Sequence, residues 1–158
     1  MNARPGNAPM ILLIDDNAGD VRLITEAVHA AVPAAEVRPI SESTEAIPHL
    51  KQLLDAADGP SLVLLDLRMP KKSGLQVLEE IKGDPETGYL PVVVLTSSEA
   101  QQDVFRAYAL HANSVVTKPL GFVQLCSAVK TLCEFWLEVA RLPEAAYAKY
   151  TPNQNLAD

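Results

Sequence analysis

Basic residues are scarce in this sequence. Its 13 Lys and Arg stand against 20 Asp and Glu, which leaves a formal net charge of -7. A field of that sign repels phosphate backbones and anionic membrane surfaces. We therefore expect no direct binding to nucleic acid and none to membranes.

Long apolar runs are absent as well. The run MILLI at 10–14 meets Asp15 and Asp16 too soon for the core of a signal peptide. No stretch approaches the roughly 18 uninterrupted apolar residues of a membrane helix. We expect a soluble, cytoplasmic protein with one well-cored domain at 10–140, a disordered N-terminal tail at 1–9 and a C-terminal extension at 141–158.

The sequence has two cysteines, which are too far apart for a disulfide, and three histidines, which are too scattered for a metal site. Cys126 and Cys133 lie in a predicted helix with their backbones about 10 Å apart, too far for a disulfide. We expect both to be structural filler, with a cross-subunit contact as the alternative. The three histidines indicate neither a transition-metal site nor a catalytic triad. The segment DDNAGD at 15–20 lacks the glycine fingerprint of dinucleotide binding.

Apolar runs of strand length alternate with amphipathic segments. The runs MILLI at 10–14, LVLL at 62–65 and PVVVL at 91–95 have no polar alternation, which is typical of strands buried on both faces of a parallel sheet. The weaker runs EVRPI at 36–40 and SVVT at 114–117 predict edge strands. The alternation predicts an α/β domain with a doubly wound, five-stranded parallel sheet and five helices.

Local signals bear on the ends of three predicted helices. Pro48 makes the first half of the second helix doubtful. Ser98 and Gln101 resemble a capping box that opens the fourth helix. The last helix is expected from about 122 to 142, with Pro143 ending it.

Polar side chains follow four of the predicted strands. Asp15 and Asp16 follow the first, Asp66 the third, Thr96 the fourth and Lys118 the fifth. Parallel strands end at one edge of the sheet, where ligands bind. Three carboxylates brought together there favour a divalent cation, and an open all-oxygen site suits Mg²⁺.

The same set suits a phosphoryl group. A lysine and a threonine hydroxyl can neutralise a phosphoryl group in transfer, and Asp66 is the candidate nucleophile. Each residue alone also has a structural explanation as a helix cap, a turn residue or a surface charge. Their combination at four strand ends favours a site.

Four motifs resemble the receiver domain of two-component response regulators. They are ILLIDDN at 11–17, VLLDLRMPKKSGLQVL at 63–78, VVVLTSS at 92–98 and ANSVVTKP at 112–119, and the resemblance runs from about 10 to 137. It implies a flavodoxin-like sheet of order 2-1-3-4-5. It also implies a phosphoacceptor in a histidine kinase phosphorelay, without enzyme activity beyond self-phosphorylation and autodephosphorylation.

The resemblance assigns a role to each site residue. Asp66 matches the phosphoacceptor. Asp16 matches the direct Mg²⁺ ligand, Asp15 a ligand acting mainly through water, and Arg68 the residue whose backbone carbonyl binds the metal.

The resemblance also points to switch residues. Thr96 and Lys118 match the hydroxyl and the ammonium that contact the phosphoryl oxygens, and the bond from Lys118 to Pro119 is usually cis in the family. The sequence departs from the family at Val115, where most receivers have an aromatic switch residue. We therefore question the usual threonine-to-aromatic relay.

Two features are similar to one branch of the family. The segment IKGDPETGYLPVVVLT at 81–96 and a tryptophan-leucine pair ahead of Leu142 and Pro143 resemble stand-alone response regulators that pair with bacterial phytochrome kinases. The resemblance implies a phytochrome-type histidine kinase as partner. We expect no attached output domain.

The last predicted helix carries more apolar surface than one core needs. We expect a homodimer through helix 4, strand 5, helix 5 and the C-terminal extension, with a tail folded over its own helix as the alternative. The expected interface residues are Phe122, Cys126, Cys133, Trp136 and Leu137.

Two other functions are weighed against this one. A haloacid-dehalogenase-like phosphatase would carry an Asp-x-Asp pair after the first strand, whereas Asp15 and Asp16 are adjacent. A degenerate receiver that acts only as an interaction module is the other alternative, although every residue needed for phosphorylation is present.

Overall fold

Strands and helices alternate along the chain. The computed structural model describes residues 8–143. The strands are β1 (Met10–Ile14), β2 (Glu36–Ile40), β3 (Leu62–Leu65), β4 (Val92–Thr96) and β5 (Ser114–Thr117). The helices are α1 (Ala18–Ala31), α2 (Ala46–Asp55), α3 (Gly74–Gly83), α4 (Gln101–Ala109) and α5 (Phe122–Cys133), with a π-helical segment, Glu134–Val139, continuing α5.

The five strands form one parallel sheet in the order β2-β1-β3-β4-β5. This confirms the predicted fold, including the two edge strands. Every residue of β1, β3 and β4 is buried, whereas β2 and β5 are partly exposed. Uninterrupted Val, Ile and Leu runs fit this position because helices cover both faces of the sheet.

Alternate side chains of each strand feed two cores. Leu12 and Ile14 point to the core beneath α2, α3 and α4, and Ile11 and Leu13 to the core beneath α1 and α5. Among the residues described, no helix is long and apolar enough to cross a membrane.

Pro48 does not disturb α2. It lies in the first turn, where backbone N–H groups have no partner within the helix. The doubt about this half of the helix is therefore resolved in favour of a helix that begins at Ala46.

The predicted capping box of α4 is wrong. The N-cap is Ala100, and no side chain caps the helix. The hydroxyl of Ser98 instead donates to Asp103 Oδ2 at 2.6 Å. The serine hydroxyl thus contacts a side chain of the first turn, and it accepts from the backbone N–H of the N-cap residue itself, Ala100, at 3.4 Å.

The last helix also ends earlier than predicted. Its α-helical part stops at Cys133, and the backbone becomes extended at Ala140, ahead of Pro143. The wider π turn moves the side chains at 134–139 off the helical spacing on which the prediction rested.

Cys133 must be removed from the expected dimer interface. It is 1% exposed and packs in the core between α1 and α5. Burial, with Glu138 and Glu134 nearby, raises the pKa of its thiol to about 11. The structural-filler interpretation holds for this cysteine. The expected tails lie mostly outside the described residues.

Candidate functional site

Lys118 joins three of the strand ends that the sequence predicted to meet. Its Nζ donates to Asp15 Oδ2 at 2.7 Å, and it lies 3.5 Å from Asp66 Oδ2. It also donates to Asp20 Oδ2, on the first turn of α1, at 2.9 Å. The three protons of one ammonium therefore face three carboxylates.

Asp15 is the most deeply buried acid of the site, at 1% exposure. Its Oδ1 accepts from the backbone N–H of Asn17 at 2.9 Å, and Asn17 in turn caps α1. Burial raises the pKa of Asp15, and the hydrogen bonds from Lys118 and Asn17 oppose that effect.

Lys118 stays charged in this environment. Burial lowers the pKa of its ammonium, but the hydrogen bonds to Asp15 and Asp20 and the charges of Asp15 and Asp66 outweigh burial and raise it above the ordinary value. The side chain is 9% exposed. The site thus contains a fixed positive charge.

Asp15, Asp16 and Asp66 form a carboxylate cluster. One oxygen from each lies within 4.8 Å of the other two, with Asp16 exposed and the others buried. Asp66 Oδ1 is buried and has no hydrogen-bond partner among the described residues. A buried oxygen without a partner is costly, and hard oxygen donors suit a divalent cation. The residues present therefore fit a divalent metal.

The loop after β3 fixes the position of Asp66. The backbone N–H of Asp66 donates to Ile14 O at 2.9 Å, and that of Gly74 to Leu67 O at 2.8 Å. A Cβ at Gly74 would lie 2.1 Å from the carbonyl oxygen of Asp66. Glycine at this position lets α3 begin directly against the acceptor.

Thr96 lies at the end of β4 and is 1% exposed. Its Oγ1 accepts from the backbone N–H of Ser98 at 3.2 Å, and its carbonyl accepts from the N–H of Lys118 at 2.7 Å. The backbone thus connects the threonine to the lysine. The expected cis bond at Lys118–Pro119 is wrong, because this bond is trans.

Comparison with known proteins identifies the family to which this chain belongs. The profile of the response regulator receiver domain matches residues 11–130. The chain belongs to the response regulator receiver domain family. Its role in two-component signalling is that of a phosphoacceptor. Membership of this family overturns the phosphatase alternative.

Individual relatives cover most of this receiver. Response regulator Rcp1 of Synechocystis sp. is 38% identical over 138 residues, which is 86% of this chain and 94% of Rcp1. The phosphorylated cyanobacterial phytochrome response regulator RcpA is 43% identical with a TM-score of 0.81, over 86% of this chain and 99% of RcpA. The Mn²⁺-bound form of Rcp1 is 37% identical with a TM-score of 0.78, over 85% of this chain and 99% of that chain.

Two groups around the receiver site were not predicted from the sequence. The only feature of the sequence that could have pointed to Asp20 is its position in the first turn of α1, the helix that starts at the site edge of the sheet. Arg68 was expected for its carbonyl, yet its side chain donates to Ser98 Oγ and Asp103 Oδ2, each at 3.3 Å. Such contacts between distant segments leave no local pattern.

The position of Val115 differs from the family pattern, and the structure shows what contacts it. Its side chain is partly buried against the core under α4. Its backbone N–H donates to Tyr108 Oη at 3.2 Å. An aromatic side chain is therefore present beside this strand, but it comes from α4 and is 50% exposed.

Proposed function

We propose that Asp66 accepts a phosphoryl group from a histidine kinase in a reaction that requires Mg²⁺. The observation that carries the proposal is the buried Asp66 carboxylate, whose Oδ1 has no hydrogen-bond partner within residues 8–143 and whose Oδ2 lies 3.5 Å from the Lys118 Nζ. A carboxylate next to a fixed cation suits nucleophilic attack on a phosphoryl group.

The residues of the site divide the work of the transfer. A carboxylate oxygen of Asp66 forms a bond to phosphorus while the P–N bond of the phosphohistidine breaks, and the imidazole nitrogen keeps the electron pair. Lys118 neutralises charge on the phosphoryl oxygens. The hydroxyl of Thr96 donates to one of these oxygens once Asp66 is modified.

Mg²⁺ is the metal that we propose for the carboxylate cluster. Asp16, Asp66 and the backbone carbonyl of Arg68 would bind it directly, and Asp15 mainly through water. When bound, the ion neutralises the carboxylates and the incoming phosphoryl oxygens. The Mn²⁺-bound form of Rcp1 supports a divalent site in this family.

A phytochrome-type histidine kinase is the phosphodonor that we propose. Support comes from the similarity to RcpA, which is a phytochrome response regulator. The proposal includes a cytoplasmic location, a receiver domain at 10–140 and no catalytic activity beyond self-phosphorylation and autodephosphorylation.

We further propose a homodimer through α4, β5, α5 and the segment at 141–158. Exposed apolar side chains on α4, on α5 and on the π-helical segment support it, namely Phe105, Tyr108, Phe122, Phe135 and Val139. Of the expected interface residues, Cys126, Trp136 and Leu137 pack partly against their own core, which reduces the surface they offer. Light scattering that gives a monomer mass at every concentration would contradict the dimer.

Transfer of labelled phosphate from a phosphorylated kinase tests the function and the donor together. We expect label to pass to the wild type and to the matched Asp55→Asn variant, in which an exposed acid is changed, and not to Asp66→Asn. Transfer should be faster from a phytochrome-type kinase than from an unrelated histidine kinase. Equal rates would refute the donor, and label on Asp66→Asn would refute the acceptor.

A further inference from the structure

Asp20 contacts the site although it lies outside the cluster of Asp15, Asp16 and Asp66 in the described part of the chain. Its Oδ2 accepts from Lys118 Nζ at 2.9 Å, and its side chain is 38% exposed. No step of the proposed transfer uses this carboxylate. Its one bond to the site is therefore a bond to the lysine.

The local sequence fixes Asp20 beside Asp15. The backbone N–H of Asp20 donates to Asn17 Oδ1 at 2.9 Å, and the backbone N–H of Asn17 donates to Asp15 Oδ1 at 2.9 Å. The capping residue of α1 thus connects the side chain of Asp15 to the backbone of Asp20. This connection places both carboxylates beside the same ammonium.

The Lys118 ammonium is shared unevenly among the three carboxylates. Its Nζ lies 2.7 Å from Asp15 Oδ2 and 2.9 Å from Asp20 Oδ2, but 3.5 Å from Asp66 Oδ2. Hydrogen bonds from nitrogen to oxygen span about 2.7–3.2 Å in proteins. Asp15 and Asp20 therefore accept hydrogen bonds from the lysine, whereas Asp66 lies at the distance of a looser ion pair.

This sharing leaves the Asp66 carboxylate poorly satisfied. Its Oδ1 is buried without a hydrogen-bond partner within residues 8–143, and its side chain is only 8% exposed. A buried oxygen without a partner is costly, and a charged donor is among the strongest partners it can gain. Lys118 is such a donor, but it bonds to Asp15 and Asp20 instead. Asp66 thus keeps oxygens that a cation can approach.

We propose that Asp20 is a positioning residue that draws Lys118 away from Asp66 and so keeps the Asp66 carboxylate open to Mg²⁺, an inference that rests on the proposed function. Without the Asp20 acceptor, one proton of the ammonium turns to Asp66. The lysine then competes with the ion for the same carboxylate. Because Asp20 is partly exposed, solvent screens its own charge, and its effect passes through the hydrogen bond to the lysine.

Calorimetric titration of the full chain with Mg²⁺, with no phosphodonor present, tests this role. Asp20→Ala should weaken Mg²⁺ binding about two- to fivefold, the range expected for one partly exposed ion pair. Asp20→Asn keeps an oxygen that accepts from Lys118 and should bind Mg²⁺ within about twofold of the wild type. Asp55→Ala removes an exposed acid from the end of α2 and should leave Mg²⁺ binding unchanged.

A second pair of variants separates the lysine from the charge of Asp20. Lys118→Met removes the ammonium, so Asp20→Ala should cause no further loss of Mg²⁺ affinity in that background. Equal weakening by Asp20→Ala with and without the lysine would overturn the proposal, as would wild-type affinity in Asp20→Ala alone. If Lys118→Met does not fold, Asp20→Ala and Asp20→Asn still decide. Both lose the same charge, and equal weakening in the two would also overturn it.

A failure of the proposed function gives a different result. A wild type that shows these differences in Mg²⁺ affinity but gains no phosphoryl mass would contradict the phosphoacceptor and support the role of Asp20. A folded wild type that binds no Mg²⁺ would overturn both.

Discussion

At the scale of single residues, three carboxylates of the site contact the same ammonium. Lys118 is shared by Asp15, Asp20 and Asp66, and only Asp66 is the proposed acceptor. If Asp15 and Asp66 turn toward a bound metal, Asp20 is the remaining carboxylate that holds the lysine near the phosphoryl group. Asp20 would then be a positioning residue.

Replacing Asp20 tests this role. We expect Asp20→Ala to slow phosphorylation by a small anionic donor about fivefold, since a partly exposed ion pair contributes roughly 1 kcal/mol. Asp20→Asn keeps an oxygen acceptor and should stay within about twofold of the wild type. Initial rates from intact mass give the comparison. Both variants lose the same charge, so an equal slowing in the two would show that Asp20 acts only through its charge, and wild-type rates in both would show that it has no role.

At the scale of elements, the junction between β3 and α3 depends on close backbone contact. A Cβ on Gly74 would overlap the carbonyl oxygen of Asp66, whereas a Cβ on Gly83, at the other end of the same helix, meets nothing within 4 Å. A side chain can therefore be added at Gly83 without a clash, but not at Gly74.

This difference predicts opposite effects on stability. Gly74→Ala should lower the free energy of unfolding by about 3 kcal/mol, because backbone must move to admit the methyl group. Gly83→Ala should raise it by about 0.5–1 kcal/mol, because alanine favours the helix. Urea unfolding of both variants measures the values. A Gly74→Ala protein as stable as the wild type would mean that α3 does not start against Asp66.

The inner strands β1, β3 and β4 were predictable because their sequences satisfy a single demand, burial on both faces. The ends of α4 and α5 were not, since they depend on competition. The hydroxyl of Ser98 could bond either to the backbone at the start of α4 or to a side chain. Only the folded chain brings the side chains of Arg68 and Asp103 to it. Likewise, helical spacing cannot reveal a π turn, because the apolar pattern remains plausible for an α-helix until packing selects the wider turn.

At the scale of the whole molecule, the parallel sheet brings residues that are far apart in the sequence into one site. Strand ends far apart in the chain deliver two buried acids, a buried threonine and a lysine to one edge of the sheet. That gathering could be predicted, since parallel topology alone requires it. The surrounding partners Asp20 and Asp103 could not, because their contacts depend on the final packing of α1 and α4.

The molecule presents its site and the exposed aromatic side chains of α4 on adjacent elements. The carboxylate cluster lies where β1 and β3 end, and the exposed aromatic side chains of α4 follow the next strand. A change at Asp66 therefore has a short path to a surface that a partner or a second copy can contact.

The most direct measurement is the intact mass of the chain after incubation with a small-molecule phosphodonor, with Mg²⁺ and after its chelation. We predict one added phosphoryl group on the wild type and on Asp55→Asn when Mg²⁺ is present, and none on Asp66→Asn or without metal. A folded wild type that stays unmodified with Mg²⁺, or a phosphoryl group on Asp66→Asn, would contradict a metal-dependent phosphoacceptor at Asp66.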